Sequence, residues 1–133
     1  MKKTIISLIV GIFFFSFACK DSSTQPTNES DLVGTWLLKQ QTGGFAGQTY
    51  YPPEGTTFLL QVTDDNRFVE SRNDTVTFSD RFIVHIDSVE NVQLIDFIDS
   101  KRTSVFVQKV TSDSLTLWDG MMDGFFSFYI REK

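Results

Sequence analysis

The sequence predicts an all-β protein that folds as a single up-and-down antiparallel β-barrel of about eight strands. Short segments of alternating apolar and polar residues recur from residue 32 onward. Clusters of Asp, Asn, Ser and Gly separate them, and these residue types favour tight hairpin turns. No window shows the roughly 3.6-residue apolar period of a long helix. Because consecutive hairpins would leave edge strands exposed, we expect the sheet to close on itself.

The predicted strands follow one another in close succession. The first spans residues 32–41, and the others span residues 57–63, 67–72, 75–79, 81–87, 92–98, 104–110, 114–119 and 125–131. The connection between the first two differs from the rest, because residues 42–56 are long, glycine-rich and aromatic. A loop of that length in a compact domain is usually functional, so we expect it to form a lid or a binding loop.

Side-chain alternation predicts which residues point into the barrel. The inward set is Trp36, Leu38, Phe58, Leu60, Val62, Phe68, Phe82, Val84, Ile86, Val92, Leu94, Val105, Val107, Leu115, Leu117, Phe126, Phe128 and Ile130. Seven of these are the candidate ligand-binding residues: Phe58, Leu60, Phe68, Phe82, Val84, Phe126 and Phe128. They would form the wall of an apolar pocket.

The opposite face includes polar residues such as Gln61, Gln93 and Thr116, as an outer wall should. It also includes four large aromatic residues: Phe97, Phe106, Trp118 and Tyr129. A barrel in water should not expose so much aromatic surface. These side chains therefore lie under the 42–56 loop, form a partner-binding patch, or indicate a bulge that shifts the register.

The N-terminal segment has the pattern of an export signal. Two lysines follow Met1, residues 4–17 are almost entirely apolar, and Ala18 precedes Cys19, the single cysteine of the chain. The apolar stretch is shorter than the about 20 residues that a membrane-spanning helix needs. The chain therefore divides into a signal peptide at 1–18, a segment at 19–31 that begins with Cys19 and continues as a polar tether, and a barrel domain at 32–133.

This segment resembles a bacterial lipoprotein signal peptide, in which a small residue precedes a cysteine that becomes acylated. The resemblance implies that Cys19 is lipidated and that the protein is held on a membrane of the bacterial cell envelope. We expect the outer membrane, with the cell surface as one location. Removing the two leader lysines leaves 10 basic against 17 acidic residues, a net charge of −7. Such an acidic chain is poorly suited to nucleic acid, so we expect none as a partner.

Gly34-Thr35-Trp36 lies on the first predicted strand and is similar to the Gly-x-Trp signature of the lipocalins. Together with Tyr51-Pro52-Pro53 and the ending Tyr129-Ile130-Arg131, it resembles the short lipocalin-like lipoproteins of Bacteroidetes, across residues 32–131. The resemblance implies a barrel with an apolar interior and a small ligand. It also implies that Trp36 closes the barrel base and packs against Arg131.

The sequence favours neither an enzyme nor a metal or cofactor site. His85 is the sole histidine and is expected to face solvent, and no Gly-x-Ser-x-Gly motif is present. The acidic turn at Asp64-Asp65-Asn66 lacks the spacing and closing glutamate of a calcium-binding EF-hand. Two functions stay open. One is a membrane-anchored barrel that binds a small hydrophobic ligand, and the other is an envelope interaction module with a solid aromatic core and protein-binding loops.

Overall fold

The computed structural model describes residues 28–133, which form one antiparallel sheet after a single helical turn. The elements in chain order are α1 (Glu29–Leu32), β1 (Gly34–Gly43), β2 (Gln48–Tyr50), β3 (Phe58–Val62), β4 (Arg67–Arg72), β5 (Thr75–Ile86), β6 (Gln93–Phe97), β7 (Val105–Val110), β8 (Ser114–Trp118) and β9 (Phe125–Arg131). The helical turn includes the last residues of the predicted tether, and the two strands predicted at 75–79 and 81–87 are one continuous strand, β5.

The sheet closes into a barrel because the last strand pairs with the first. The β1–β9 register runs from Trp36 opposite Arg131 to Gly43 opposite Phe125. Strands β3 to β8 each pair with the next strand along the chain, and β3 pairs with β1. Eight strands therefore form the closed barrel, and β2 is a short addition to β1. The predicted all-β up-and-down barrel is confirmed.

Turn chemistry places the hairpins where the sequence predicted them. Asn73 and Asp74, between β4 and β5, both adopt positive φ, at 47° and 64°. Two successive left-handed residues form the kind of turn that suits the twist of a hairpin, and Asn and Asp tolerate it better than most residues. Asn66, in the turn between β3 and β4, has a φ of 59° for the same reason.

Buried apolar side chains from all eight barrel strands form the core. Its members are Leu32, Trp36, Leu38, Leu60, Val62, Phe68, Phe82, Ile95, Val105, Val107, Leu115, Leu117 and Tyr129. We call the end that contains Trp36 and Arg131 the barrel base, and the opposite end, where the 98–104 loop lies, the barrel mouth. The predicted alternation holds on β1, β3, β4, β7 and β8, whose inward residues are all in or against this core.

On β9 the predicted inward face is wrong. Tyr129 pairs with Leu38 on one side and Leu115 on the other, both core residues, so Tyr129 points inward. Phe126 and Phe128 therefore lie on the outer wall, and Phe126 is 44% exposed. The apolar pattern misleads here because the inward face of β9 includes a serine, which the polar interior of the barrel mouth accommodates.

On β6 the register also differs by one residue. Ile95 pairs with Val84 and Val105, and it is fully buried in the core. Leu94, predicted to point inward, instead lies on the outer wall opposite His85 and Phe106. Val92 precedes the strand. On β5, Phe82 is buried and Val84 packs against the core, whereas Ile86 at the strand end is 49% exposed.

Candidate functional site

The barrel base is closed by Trp36 and Arg131, which the sequence expected to meet. The Arg131 guanidinium lies 4.1 Å from the Trp36 ring centroid. It also donates hydrogen bonds to three backbone carbonyls, those of Val33, Asp31 and Ser112, at 2.8, 3.1 and 2.6 Å. The Trp36 indole donates to the Leu32 carbonyl at 2.8 Å. These contacts close the interior of the barrel at its base.

Gly34 is a glycine because of this closure. Its φ is 154°, and a Cβ at this position would overlap the Arg131 guanidinium. The Gly-x-Trp motif therefore has a steric explanation in this chain. The glycine has no side chain, and this leaves space for the Arg131 guanidinium to reach the indole.

A pocket of about 360 Å³ lies near the barrel mouth. Its apolar wall consists of Leu38, Tyr50, Tyr51, Pro52, Pro53, Phe58, Leu59 and Leu60, and its polar wall of Gln41, Glu70, Ser71, Thr77 and the Tyr129 ring edge. The volume falls at the lower end of the range of about 300–1,000 Å³ that small-molecule sites occupy.

The pocket exists because β1 changes partner along its length. Its first half pairs with β3 from Gly34 to Leu37, and its last residues, Gln41 to Gly43, pair with β2. The chain must then cross from β2 back to β3 through residues 51–57, which form no strand. The predicted functional loop at 42–56 thus contains β2 and supplies the tyrosines and prolines of the pocket.

A second cavity of about 140 Å³ lies behind the first. Gln41, Glu70 and Tyr129 line both cavities. Gln41 donates a hydrogen bond to the Ser127 hydroxyl at 2.9 Å across the β1–β9 pair. The interior of the barrel is therefore apolar at the base and polar toward the mouth.

Arg102 lies at this polar end. It comes from the loop between β6 and β7 and donates two hydrogen bonds to the Glu70 carboxylate, at 2.8 and 2.9 Å. The rings of Phe68, Phe78 and Phe97 surround its guanidinium at 5.6, 4.5 and 5.0 Å from their centroids. Only 33% of the Arg102 side chain and 28% of the Glu70 side chain remain accessible. Bidentate pairing and aromatic contact both favour arginine over lysine here.

Asp80 fixes the loop that presents Arg102. Its carboxylate accepts hydrogen bonds from the backbone N–H groups of Asp99 and Ser100, at 3.0 and 2.9 Å. The Ser100 hydroxyl and these N–H groups hold the pKa of Asp80 below its usual value. The Ser100 hydroxyl also accepts from the backbone N–H of Arg102 at 3.2 Å. A continuous chain of hydrogen bonds thus connects buried Asp80 to the arginine in the mouth.

Tyr129 lines both cavities and is buried. Burial raises its pKa well above the usual value, and the Glu70 carboxylate raises it further. The hydroxyl group therefore stays protonated across the physiological pH range and can serve as a hydrogen-bond donor.

The seven candidate ligand-binding residues occupy four environments. Phe58 and Leu60 line the mouth pocket, and Phe68 lines the second cavity. Phe82 and Val84 line neither of these two cavities and belong to the packed interior, where the Phe82 ring contacts that of Phe68. Phe126 and Phe128 are on the outer wall. The polar residues at the mouth were missed, although Glu70 shares the inward face of β4 with Phe68 and alternation alone could have placed it there.

The outer wall of β6 to β9 has its own aromatic row. Leu94, Phe106, Trp118 and Phe126 are successive cross-strand partners. The Trp118 ring lies 5.0 Å from Phe106 and 5.9 Å from Phe126 between centroids. The predicted outward position of Phe106 and Trp118 is therefore correct, whereas Phe97 and Tyr129 turn inward.

His85 lies on the outer wall, where its Nδ1 is 3.0 Å from an Asp96 oxygen. The other Asp96 oxygen accepts from the Ser104 hydroxyl. The carboxylate separates the serine from the histidine, so the imidazole is not in position to take the proton of that hydroxyl, as a nucleophilic triad requires. Among residues 28–133, no group of three or more His, Cys, Asp and Glu side chains could hold a metal ion.

Two predictions concern the N-terminal part of the chain. Cys19, the predicted lipidation site, and the signal peptide lie outside the described residues. Within the described part of the chain, no helix is both long enough and apolar enough to cross a membrane.

Comparison of the chain with protein-family models, with curated proteins and with solved structures finds no match. The function must therefore be argued from the geometry of the barrel itself.

Proposed function

We propose that this protein is a lipid-anchored, lipocalin-like binding module that holds a small, mostly apolar molecule at the barrel mouth. The observation that supports this most directly is the pocket of about 360 Å³ bounded by Phe58, Leu60 and the segment from Tyr50 to Pro53. Barrels of about eight strands either fill with side chains or hold one small ligand. This barrel is packed at its base and hollow near its mouth.

The composition of the pocket wall suits this function. Tyr50, the last residue of β2, and Tyr51, which follows it, are exposed side chains, whereas Phe58 and Leu60 belong to β3 in the barrel wall. A ligand between them would cover the exposed tyrosine rings and gain apolar contact on both sides. The polar residues at the inner end would fix its orientation.

The proposed lipid at Cys19 would place this pocket at the cell envelope. Residues 20–27 lie between the cysteine and the first described residue, and they contain no large apolar side chain. Such a segment suits a spacer between a membrane surface and a domain. The outer membrane is the proposed location, and the barrel itself needs no membrane contact for binding.

A second candidate function is an envelope interaction module, and the outer-wall row of Leu94, Phe106, Trp118 and Phe126 favours it. Phe126 is 44% exposed and Met122, in the loop before β9, is fully exposed. Exposed aromatic and methionine side chains are enriched in protein-binding surfaces. In this case the mouth pocket would be incidental.

Native mass spectrometry of the protein purified from its own source separates the two functions. A ligand-binding barrel should retain a small molecule, seen as a defined mass above that of the lipidated chain. Removal of that mass by mild activation should leave the folded protein. A clean ligand-free mass together with a stable complex with another envelope protein would favour the interaction module.

A further inference from the structure

We infer that the mouth pocket selects uncharged amphiphiles and rejects ligands with a charged head group. The inference rests on the proposed ligand-binding function and deepens it. It follows from the charged groups at the inner end of the site. Arg102 and Glu70 already neutralise each other through two hydrogen bonds. The third charged group that lines the second cavity, Asp119, already accepts hydrogen bonds from the backbone N–H groups of Met121 and Phe125.

The ion pair lies where the polar end of a ligand would arrive. Glu70 lines both the mouth pocket and the second cavity, and Arg102 lines the second cavity. About two thirds of each side chain is covered, with 33% of Arg102 and 28% of Glu70 accessible. In such a setting, removing one partner of the pair leaves a poorly solvated charge, which is costly.

A charged head group would have to separate this pair. A carboxylate would compete with Glu70 for the Arg102 guanidinium and leave the glutamate facing a second negative charge. An ammonium group would compete with Arg102 for Glu70 and leave the guanidinium among the rings of Phe68, Phe78 and Phe97 without its carboxylate. In both cases the free energy lost by breaking the ion pair exceeds the free energy gained from the contact with the charged head group.

An uncharged head group can bind without disturbing the pair. The Gln41 amide has a carbonyl oxygen and a second N–H beyond the one donated to Ser127. The Tyr129 hydroxyl stays protonated because burial raises its pKa. A hydroxyl, ester or amide could exchange hydrogen bonds with these groups while its alkyl or aromatic part lies against Phe58 and Tyr51.

The selectivity can be tested by displacement of Nile red, an uncharged apolar dye, from the folded full-length protein. The competitors are decanol, decanoate and decylamine, which each have ten carbon atoms in an unbranched chain and are neutral, anionic and cationic near neutral pH. We expect decanol to displace the dye at about tenfold lower concentration than either charged competitor, since each must break the ion pair.

Two reciprocal variants should change the preference. Glu70→Gln leaves Arg102 without its carboxylate, so decanoate should bind about tenfold more tightly than it binds wild type. Arg102→Gln should instead increase the affinity for decylamine by a similar factor. Glu90→Gln and Lys109→Gln change the net charge equally on exposed surfaces far from the mouth, and they should leave all three affinities unchanged.

The outcomes separate this inference from the proposed function. If wild type binds decanoate or decylamine as tightly as decanol, charge selection is refuted and ligand binding stands. If no competitor and no dye binds the folded wild type, both fail. The comparison of the three competitors on wild type tests charge selection even if one mouth variant does not fold.

Discussion

Arg102 and Glu70 meet across the barrel mouth in two hydrogen bonds, although 32 residues separate them in the sequence. The pair connects the β6–β7 loop to β4 and closes part of the barrel opening. Its guanidinium lies among phenylalanine rings that belong to β4, β5 and β6. The mouth of this barrel therefore has a fixed polar centre within an aromatic wall, while the base is sealed by apolar packing.

Truncating the tryptophan at the barrel base should destabilise the protein more than truncating the tryptophan on the outer wall. Trp36→Ala removes a fully buried indole and its hydrogen bond to Leu32, and we expect it to lower the free energy of unfolding by about 3–5 kcal/mol. Trp118→Ala is the matched control, because that indole is half-buried on the outer wall, and it should cost about 0.5–1.5 kcal/mol. Urea denaturation followed by circular dichroism measures both. Equal losses would contradict the assignment of Trp36 as the residue that closes the base.

The contact between Trp36 and Arg131 should appear as a coupling energy. In a double-mutant cycle of Trp36→Leu and Arg131→Met, we expect about 0.5–2 kcal/mol of non-additivity, from the cation–π contact at 4.1 Å. Gly34→Ala should weaken the same contact, because its Cβ would displace the guanidinium. Additive effects within about 0.3 kcal/mol would mean that the two side chains do not depend on each other.

Asp80 should make stability depend on pH. Its pKa is lowered in the folded state, so its stabilising contribution is present above about pH 4 and is lost as the pH falls through the folded-state pKa. Asp80→Asn should therefore lower the urea midpoint at neutral pH, and the difference from wild type should shrink at about pH 3. Asp123→Asn, at an exposed position, serves as the control. A difference that is unchanged or larger in acid would refute the role of the ionised carboxylate.

Lipidation should depend on Cys19. Cys19→Ala should yield either an unprocessed product that keeps its leader or a processed, unlipidated product that leaves the detergent phase, whereas Ser22→Ala, three residues away, should behave like wild type. Detergent-phase partitioning and intact mass measure the two properties. If the Cys19→Ala protein loses its leader and still partitions like wild type, the lipid anchor is excluded.

The sequence was sufficient for the strands and turns because both depend on local chemistry. Asn73-Asp74 forms the turn that its residue types favour, and Phe58, Leu60 and Val62 point inward as alternation predicts. Register on β6 and β9 was not predictable in the same way. On both strands each face includes large apolar residues, so alternation cannot tell which face points inward. On β6 the inward face becomes clear only from the pairing of Ile95 with Val84 in the folded sheet.

The polar centre of the mouth was missed for a different reason. Alternation was used to find apolar pocket residues, and a glutamate on the inward face of β4 did not fit that expectation. Arg102 lies in a loop, where no periodicity indicates direction. Its position depends on Asp80 and Ser100 through hydrogen bonds that join segments about 20 residues apart.

A Nile red titration distinguishes ligand binding at the hollow mouth from binding on the outer wall. Wild type should bind the dye saturably near one to one, with a blue shift in its emission. Phe58→Asp should weaken binding at least about tenfold while the fold survives by circular dichroism, and Phe126→Asp, the same change on the outer wall, should leave it unchanged. Absence of saturable binding to the folded wild type, or loss of binding in Phe126→Asp with none in Phe58→Asp, would contradict ligand binding at the mouth.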